Sequence, residues 1–318
     1  MAHCLSRPAG MFSASYKMKK AMVMFSDFGI NSGLVACMHG VCAQVDPTLR
    51  VYDATHLLPA FDIKAASSCL QYTVPCWPAG TVFVSVVDPG VGTSRRACAA
   101  LLRNGSYVIT PDNGTLTLLD ESIGIEAVRS IDETVNRYNS AEEVSVFHGR
   151  DLFAYCGARL AAGVISFNEV GPAYPVSGIV RYPVPKPVIR PGFACGRIES
   201  FDPFGTAETN FLNKAFKDAG FRTGTMVSIS IRQLPADTSM TENRSSISGP
   251  QPGQNSAAAP AVFEDTVLYD KTFGCVPVGS PVLFPDLALY ISIGINQGDF
   301  RKLHGMETGC SYEICITG

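Results

Sequence analysis

Polar side chains able to do chemistry lie where three patterned segments begin or end. Asp27 directly follows the apolar segment AMVMFS, Asp88 directly follows GTVFVSVV, and His148 precedes GRDLFAYCGARLAAG. A carboxylate after a strand can accept hydrogen bonds from the two hydroxyls of a ribose, or it can cap its own loop. The spacing leaves both interpretations of Asp27 open. Taken alone, a histidine such as His148 is more often structural than catalytic.

The segment VVDPGVGTSRR, residues 86–96, is the most specific feature of the chain. Its glycines let the backbone approach a ligand closely. It is no phosphate loop, because G-x-x-x-x-G-K-[ST] is absent and G-x-G-x-x-G fails at Arg95. One interpretation is a tight strand–strand turn with surface arginines. The other places Asp88 and Arg95 face to face, where the arginine keeps the carboxylate ionised.

A kinase interpretation of the DFG triplet at 27–29 fails on motif order. The catalytic loop of a kinase precedes DFG, whereas the HGRD segment at 148–151 follows it by about 120 residues. Asp151 is instead expected in the first turn of a helix, where the helix dipole favours a carboxylate. Taken alone, Phe61 and Phe147 would be core residues.

The elements that must position these residues alternate between strands and helices over 21–176, which predicts an α/β domain with a mainly parallel sheet. A helix is predicted over 32–44, another over 62–72 with Asp62 as its cap, and a third that ends at Gly163. The predicted strands are AMVMFS, LRVYDAT, GTVFVSVV, ACAALLR and SYVITPDNG.

Four prolines in residues 177–191 predict a stiff linker. Helix signals nearly vanish beyond it, so residues 192–318 are predicted to form a smaller, all-β, barrel-like C-terminal domain. The low-complexity stretch 234–262 is predicted to be a disordered insert in that domain. The predicted strands are GFACGRIES, GTMVSISIRQ, VPVGSPVLF and LALYISIGI.

Composition excludes several classes of protein. The 318 residues carry a formal charge of −3, without the polybasic balance of a nucleic-acid or membrane partner, and no run of 18 apolar residues predicts a spanning helix. Residues 1–20 are basic and lack acids, which predicts a disordered leader in a cytoplasmic protein or, alternatively, a mitochondrial presequence.

Eleven cysteines occur, but no C-x-x-C pair does, so a zinc site is disfavoured. Several cysteines lie in apolar segments, such as Cys69 in AASSCL. We expect them to be small buried side chains in a reducing compartment.

A set of motifs in a fixed order makes residues 21–232 resemble the S-adenosylmethionine (SAM) hydroxide adenosyltransferase family, which is related to the bacterial fluorinase and chlorinase. The combination of VDPGVGT-x-RR with a later FHGRD is specific. The motifs are SDFG at 26–29, ATH at 54–56, FDI at 61–63, FVSVVDPGVGTSRR at 83–96, TPDNG at 110–114, FHGRDLFA at 147–154 and FDPFGTAETN at 201–210.

This resemblance implies an enzyme that hydrolyses SAM at C5′ to adenosine and L-methionine, with SAM as substrate and no cofactor or metal. It implies an α/β domain, a C-terminal β-barrel and a homotrimer whose active sites lie between subunits. The family's catalytic residues fall on Asp88, Arg95 and His148. Its substrate-binding residues fall on Asp27 for the ribose, Phe61 and Phe147 for the aromatic walls, and Asp202, Phe204 and Thr206 in the second domain.

Three departures from the family pattern concern the methionine end of the substrate. Asn31, Ser32 and Gly33 stand in the loop where the family usually has an aspartate, Thr206 replaces an asparagine, and a usual serine is missing near Asp286 and Leu287. The departures keep open an inactive SAM or nucleoside sensor.

Two enzyme classes remain as alternatives to hydrolysis. A SAM-dependent halogenase is disfavoured by Asp88, Arg95 and His148, which the fluorinase lacks. A dinucleotide-dependent dehydrogenase is disfavoured because its glycine fingerprint is missing.

Overall fold

The computed structural model of the chain describes residues 20–139, 146–235 and 260–318. The predicted leader 1–20 lies outside the described residues except for its last residue. Most of the predicted insert 234–262 lies outside them as well.

The chain divides into two units, one ending at Tyr182 and the other beginning at Pro183. This division falls inside the proline-rich segment 177–191. That segment also contains the short strand Val188–Arg190, which pairs with the second unit's sheet.

The first unit is built on a seven-stranded sheet in the order β2-β1-β3-β5-β4-β6-β7. The α/β prediction is confirmed: strands β2, β1, β3 and β5 run parallel, and β4, β6 and β7 join antiparallel at one edge. The strands are β1 Met22–Ser26, β2 Val51–Thr55, β3 Val82–Val86, β4 Ala97–Leu102, β5 Tyr107–Pro111, β6 Ile125–Ser130 and β7 Ala173–Tyr174.

Helices cover both faces of this sheet, which explains the continuous burial of β1. Met24 contributes to the core on the face of α1 and α5, whereas Phe25 contributes to the core on the face of α2 and α3.

No helix among the described residues is long and apolar enough to cross a bilayer. The helices are α1 Leu34–Val45, α2 Ile63–Thr73, α3 Thr117–Ser122, α4 Glu133–Asn136 and α5 Tyr155–Ala162, the last preceded by a π-helical turn, Gly149–Ala154.

The predicted helix ends are confirmed at two positions. Asp62 caps α2 by accepting a hydrogen bond from the backbone N–H of Ala65 at 2.9 Å. Gly163 ends α5 with a left-handed φ of 74°, a conformation that suits glycine. Local capping chemistry therefore fixes where both helices stop or start.

The second unit is a β-barrel, as predicted. Seven strands close in the order β10-β14-β13-β12-β11-β15-β9, because β9 also pairs with β10, and β8 extends one edge of β9. Inward side chains such as Phe211, Tyr269 and Ile314 fill the barrel. Its elements are β8 Val188–Arg190, β9 Phe193–Phe201, β10 Ala207–Leu212, α6 Asn213–Asp218, β11 Thr225–Gln233, β12 Ala261–Tyr269, β13 Pro281–Pro285, β14 Tyr290–Ile295, α7 Phe300–Leu303 and β15 Tyr312–Thr317.

The cysteines divide into two kinds. Cys42, Cys98 and Cys156 are buried, as expected of small apolar side chains, and burial raises the pKa of each thiol to about 12. Cys195 and Cys315 instead form a disulfide, so the expectation of reduced cysteines is wrong for this pair. They are 120 residues apart in sequence, and the antiparallel register of β9 and β15 places them opposite each other.

Candidate active site

The carboxyl ends of β1, β2 and β3 lie side by side, because β1 pairs in parallel with both neighbours. Asp27 directly follows β1, His56 directly follows β2, and Asp88 lies two residues beyond β3. In open α/β sheets, ligands bind beyond the carboxyl ends of the strands. This edge of the first unit is therefore the candidate active site.

Asp88, Arg95 and His148 form one hydrogen-bonded cluster. Arg95 Nε donates to the two carboxylate oxygens of Asp88 at 2.9 and 3.1 Å, and Arg95 Nη2 donates to Oδ2 as well. Arg95 Nη2 also donates to His148 Nδ1 at 2.8 Å. The side chains of Asp88 and Arg95 are only 5% and 11% exposed, so water and salt screen this ion pair weakly. Of the two interpretations of this segment, the structure supports the one that places Asp88 and Arg95 face to face.

The glycine-rich turn between Asp88 and Arg95 makes this contact possible. Gly92 adopts a left-handed φ of 76°, and Thr93 donates to the carbonyl oxygen of Gly90 through its N–H at 3.1 Å and its hydroxyl at 2.7 Å. A Cβ on Gly90 would lie 3.1 Å from Cγ of Arg95. The chain therefore folds back tightly enough for the guanidinium to reach the carboxylate.

The hydrogen bond from Arg95 fixes the tautomer of His148. A guanidinium only donates, so Nδ1 of His148 must accept, and the neutral ring carries its proton on Nε2. The residue is 6% exposed, and its buried Nε2 has no hydrogen-bond partner among the described residues. A buried, unpartnered N–H is costly, which suggests that a ligand atom completes it.

Burial and nearby positive charge lower the pKa of His148 below its ordinary value. Burial disfavours the charged ring most strongly, and the positive charge of Arg95 adds to that effect. The neutral imidazole is therefore the stable form at neutral pH. Its Nε2–H is a hydrogen-bond donor held beside the Asp88–Arg95 ion pair.

Aromatic side chains lie next to Arg95 and in the segment that carries His148. Phe147 meets Phe28 edge to face, with ring centroids 5.6 Å apart. Gly149 allows this packing, because a Cβ there would lie 2.6 Å from Cε2 of Phe28. The guanidinium of Arg95 lies 5.2 Å from the ring centroid of Phe153. The ring of Phe153 covers one side of the Arg95 guanidinium and reduces its solvation.

Asp27 and Phe61 also come together. Oδ2 of Asp27 accepts a hydrogen bond from the backbone N–H of Phe61 at 2.9 Å, and no described residue donates to its Oδ1. Phe61 has a left-handed φ of 66°, which is unfavourable for a bulky residue, and the residue is 71% exposed. One carboxylate oxygen thus holds the strained residue, and the other is available to a ligand.

The predicted residues of the second unit lie in the turn after β9. Asp202 Oδ1 accepts from the backbone N–H groups of Phe204 at 2.9 Å and Thr206 at 2.8 Å. Thr206 is buried, whereas Phe204 is 76% exposed. Asp202 therefore shapes a turn that presents an aromatic ring at the surface of this unit.

Comparison with known proteins identifies the family. A model of the SAM hydroxide adenosyltransferase N-terminal domain matches residues 22–171. The chain is 42% identical over 187 residues to the (R)-S-adenosyl-L-methionine hydrolase of Salinispora tropica, an alignment covering 58% of this chain and 69% of that protein. The chain belongs to the SAM hydroxide adenosyltransferase family.

The resemblance to family members extends over both units. The (R)-S-adenosyl-L-methionine hydrolase of Thermus thermophilus is 31% identical over 296 residues, which is 91% of this chain and 97% of that protein. A crystal structure of an uncharacterized conserved protein from Thermotoga maritima superposes with a TM-score of 0.76 at 27% identity, covering 92% and 99% of the two chains. The family fold is therefore not confined to the matched N-terminal domain.

The positions that depart from the family pattern are structurally defined. Ser32 Oγ donates to the carbonyl oxygen of Phe28 at 3.2 Å. Asp286 accepts from the backbone N–H of Tyr290 at 3.0 Å and from the hydroxyl of Ser292 at 2.9 Å, and Leu287 beside it is 96% exposed. A role for these positions at the methionine end of the substrate stays a prediction.

The second arginine of the TSRR segment has a role that sequence reasoning missed. Arg96 forms an ion pair with buried Asp112 at 3.0 Å, and Tyr174 donates to the same carboxylate at 3.1 Å. Adjacent residues of one segment thus point to different carboxylates. The signal was available, since Asp112 follows β5 in the TPDNG motif as Asp88 follows β3.

A second contact that sequence reasoning missed involves Ser26, the residue before Asp27. Ser26, the last residue of β1, contacts His56, the first residue after β2, through their side chains at 2.6 Å. Both belong to motifs noted above, SDFG and ATH, and both follow from the parallel pairing of β1 with β2. Sequence reasoning assigned them no role because it placed only carboxylates and His148 at the strand ends.

Proposed function

We propose that this chain hydrolyses SAM at C5′, with Asp88, Arg95 and His148 as its catalytic residues. The observation that carries the proposal is the buried, unpartnered Nε2–H of His148 beside the Asp88–Arg95 ion pair. The names of the relatives from Salinispora and Thermus support it, and both specify the (R) form of the substrate. We therefore propose (R)-SAM as the substrate form.

The reaction is a displacement at one carbon. The oxygen of water forms a bond to C5′, the bond from C5′ to the sulfonium breaks, and the electron pair stays on sulfur. The products are adenosine, L-methionine and a proton. Water is a weak nucleophile, so the chain must position it in line with the leaving sulfur and remove its proton.

The cluster divides that task among its members. Asp88 Oδ1 takes a proton from the attacking water. The Nε2–H of His148 donates a hydrogen bond to the oxygen of that water and stabilises the negative charge that develops on it. Arg95 holds both partners: it fixes the carboxylate through Nε and the imidazole through Nη2. Its role is to set their orientation before substrate arrives.

The remaining substrate-binding residues hold the nucleoside. Asp27 Oδ1 accepts a ribose hydroxyl, while Phe61 and Phe147 contact the adenosine. In the second unit, Asp202, Phe204 and Thr206 bind the adenine and methionine end. The sulfonium loses its charge as the bond to C5′ breaks, so an aromatic, poorly hydrated pocket favours the transition state over the ground state.

Product analysis tests the proposed function. Purified protein is incubated with (R)- and (S)-SAM, separately, in EDTA and chloride, in water enriched in ¹⁸O. We expect adenosine and methionine from the (R) form. The 5′-hydroxyl of adenosine should contain ¹⁸O, because the oxygen of water attacks C5′. EDTA should not prevent turnover, because neither a metal nor a cofactor takes part in the proposed chemistry.

Three results would contradict this proposal. Recovery of 5′-chloroadenosine would identify a halogenase. Turnover that EDTA abolishes and only a divalent cation restores would identify a metal enzyme. Binding of SAM without any turnover would identify a sensor.

We further propose that the protein is a homotrimer whose second unit completes the site of a neighbouring subunit. The family resemblance supports this arrangement. Light scattering should give a mass about three times the chain mass of 34.0 kDa. A monomer that hydrolyses SAM at the full rate would refute the shared site.

A further inference from the structure

We propose that His56 is a positioning residue, which fixes the turn carrying Asp27 and Phe28 so that Asp27 meets the ribose. The inference rests on the proposed function, since it takes Asp27 as the ribose ligand. It concerns a buried histidine and a buried serine, neither of which touches the Asp88 cluster. Their side chains form a chain of hydrogen bonds from the edge of the sheet to the turn after β1.

The direction of each bond in this chain follows from donor and acceptor chemistry. Asp53 only accepts, so His56 Nε2 carries the proton that it donates to Asp53 Oδ1 at 3.0 Å. His56 Nδ1 is then the acceptor for the hydroxyl of Ser26 at 2.6 Å. Ser26 Oγ accepts in turn from the backbone N–H of Phe28 at 3.3 Å. One tautomer of His56 therefore satisfies every member of the chain.

Backbone hydrogen bonds tie the same two segments together on both sides of Asp27. The N–H of Gly29 donates to the carbonyl oxygen of His56 at 2.8 Å, and the N–H of Leu58 donates to the carbonyl oxygen of Ser26 at 3.3 Å. The residues before and after Asp27 are thus both held by the segment that contains His56. The side-chain bond adds a contact that the backbone cannot make.

Burial makes the side-chain contact consequential. His56 is 3% exposed and Ser26 is fully buried, so water cannot replace either partner when the other is removed. Partial burial raises the pKa of Asp53, but hydrogen bonds from His56 and His39 outweigh it and leave that pKa below the ordinary value. Asp53 is therefore an ionised anchor for the outer end of the chain.

Two substitutions separate the two ring nitrogens. His56→Asn keeps an acceptor for Ser26 near the position of Nδ1, whereas His56→Gln keeps a donor for Asp53 near the position of Nε2. We expect His56→Gln to raise KM for SAM about tenfold, the scale of one buried, unpaired hydroxyl. His56→Asn should raise KM about threefold or less. In both variants kcat should stay within about threefold of the wild type, because the Asp88 cluster is unchanged.

His39→Gln is the matched control. His39 contacts Asp53 from the solvent side, at 2.9 Å, and lies outside the chain that leads to Ser26. This variant should keep the wild-type KM and kcat. Should His56→Gln not fold, Asp53→Ala replaces it, since this partly exposed side chain anchors the same ring. We expect it to raise KM about threefold to tenfold with kcat preserved, because it leaves the buried Nε2–H of His56 unpaired, whereas His56→Asn removes that donor together with its bond.

Calorimetry with adenosine gives a readout that needs no catalysis, and His56→Gln should weaken adenosine binding in step with KM. If the wild type does not hydrolyse SAM but His56→Gln still weakens adenosine binding, the proposed function fails and the positioning role stands. If the wild type hydrolyses SAM and His56→Gln keeps its KM, the positioning role fails alone. Equal loss of kcat in both His56 variants, with KM unchanged, would also overturn it.

Discussion

Asp88→Asn should lower kcat for SAM hydrolysis by about 10²-fold or more and leave substrate affinity nearly unchanged, on the usual scale for a positioned acid–base group. The amide keeps the shape of the carboxylate but cannot take a proton from water. It also removes the charge that pairs with Arg95. Since Asp88 is assigned to the water and not to the nucleoside, the loss should fall on the chemical step.

Asp27→Ala supplies the contrasting variant. It removes a charge-assisted hydrogen bond to the ribose, which costs about 1.5–3 kcal/mol, or roughly 10- to 150-fold in affinity. The rate of the bound substrate should fall far less than in Asp88→Asn. Single-turnover rates at saturating SAM and calorimetry with adenosine measure the two quantities separately.

The two variants together decide the assignment of roles. If Asp88→Asn abolishes binding but leaves the rate of the bound substrate intact, Asp88 is a substrate ligand. If both variants bind and react like the wild type, the catalytic interpretation of the Asp88 turn fails and a sensor takes its place. Circular dichroism melting of each variant controls for loss of the fold.

Part of the site, namely Asp27, Asp88 and Arg95, lies in local sequence patterns. Asp27 and Asp88 each follow an apolar run, and parallel strands bring such positions to one edge of a sheet. The spacing of the 86–96 segment left open whether Arg95 returns to Asp88 or lies at the surface, and the structure decides for the return. His148 comes from a helix far along the chain, so its place in the cluster rested on the family resemblance alone.

Contacts that depend on register between distant segments lie beyond these patterns. The Cys195–Cys315 disulfide needs the pairing of β9 with β15, which no local signal specifies. The contact between Ser26 and His56 needs β1 beside β2, and that strand order is a property of the sheet. Strand β15 was also missed, although buried Tyr312, Ile314 and Ile316 alternate along it.

The π-helical turn after His148 is another feature that depends on a contact between distant segments. The sequence HGRDLFAYCGARLAAG predicts one continuous helix, and α5 does begin within it at Tyr155. The first turn, Gly149–Ala154, is wider. Gly149 packs directly against Phe28, a residue over 100 positions away, so the local pattern contains no trace of that contact.

His148→Asn should lower kcat by about 10²–10³-fold, the scale for losing one donor to a developing oxyanion. Asn keeps an acceptor for Arg95 near the position of Nδ1 but has no group at the position of Nε2. The Asp88–Arg95 ion pair should therefore persist while the donor to water is lost. Affinity for adenosine, measured by calorimetry, should match the wild type, because His148 is not assigned to the nucleoside.

The pH dependence of the wild type tests the same residue through its proton. The proposed role needs the neutral ring, with Nδ1 accepting from Arg95 and Nε2–H donating to water. Burial and then the charge of Arg95 lower the pKa of His148, so the neutral form persists to more acid pH than it would for an ordinary histidine. Protonation as the pH falls through that lowered pKa removes the acceptor for Arg95. The acid limb of kcat/KM should therefore lie below about pH 6.5, the ordinary histidine value.

Nitrogen-15 NMR of the imidazole observes this titration without catalysis. The spectrum at neutral pH should show a proton on Nε2 and none on Nδ1, and the ring should titrate at the pH of the acid limb. In His148→Asn, the residual activity should lose the part of the acid limb that belongs to this ring. A ring protonated on Nδ1 at neutral pH, or an acid limb at or above the ordinary histidine value, would mean that His148 does not donate to the attacking water. The negative charge on that oxygen would then have to be stabilised by Arg95, whose Nη1 has no partner among the described residues.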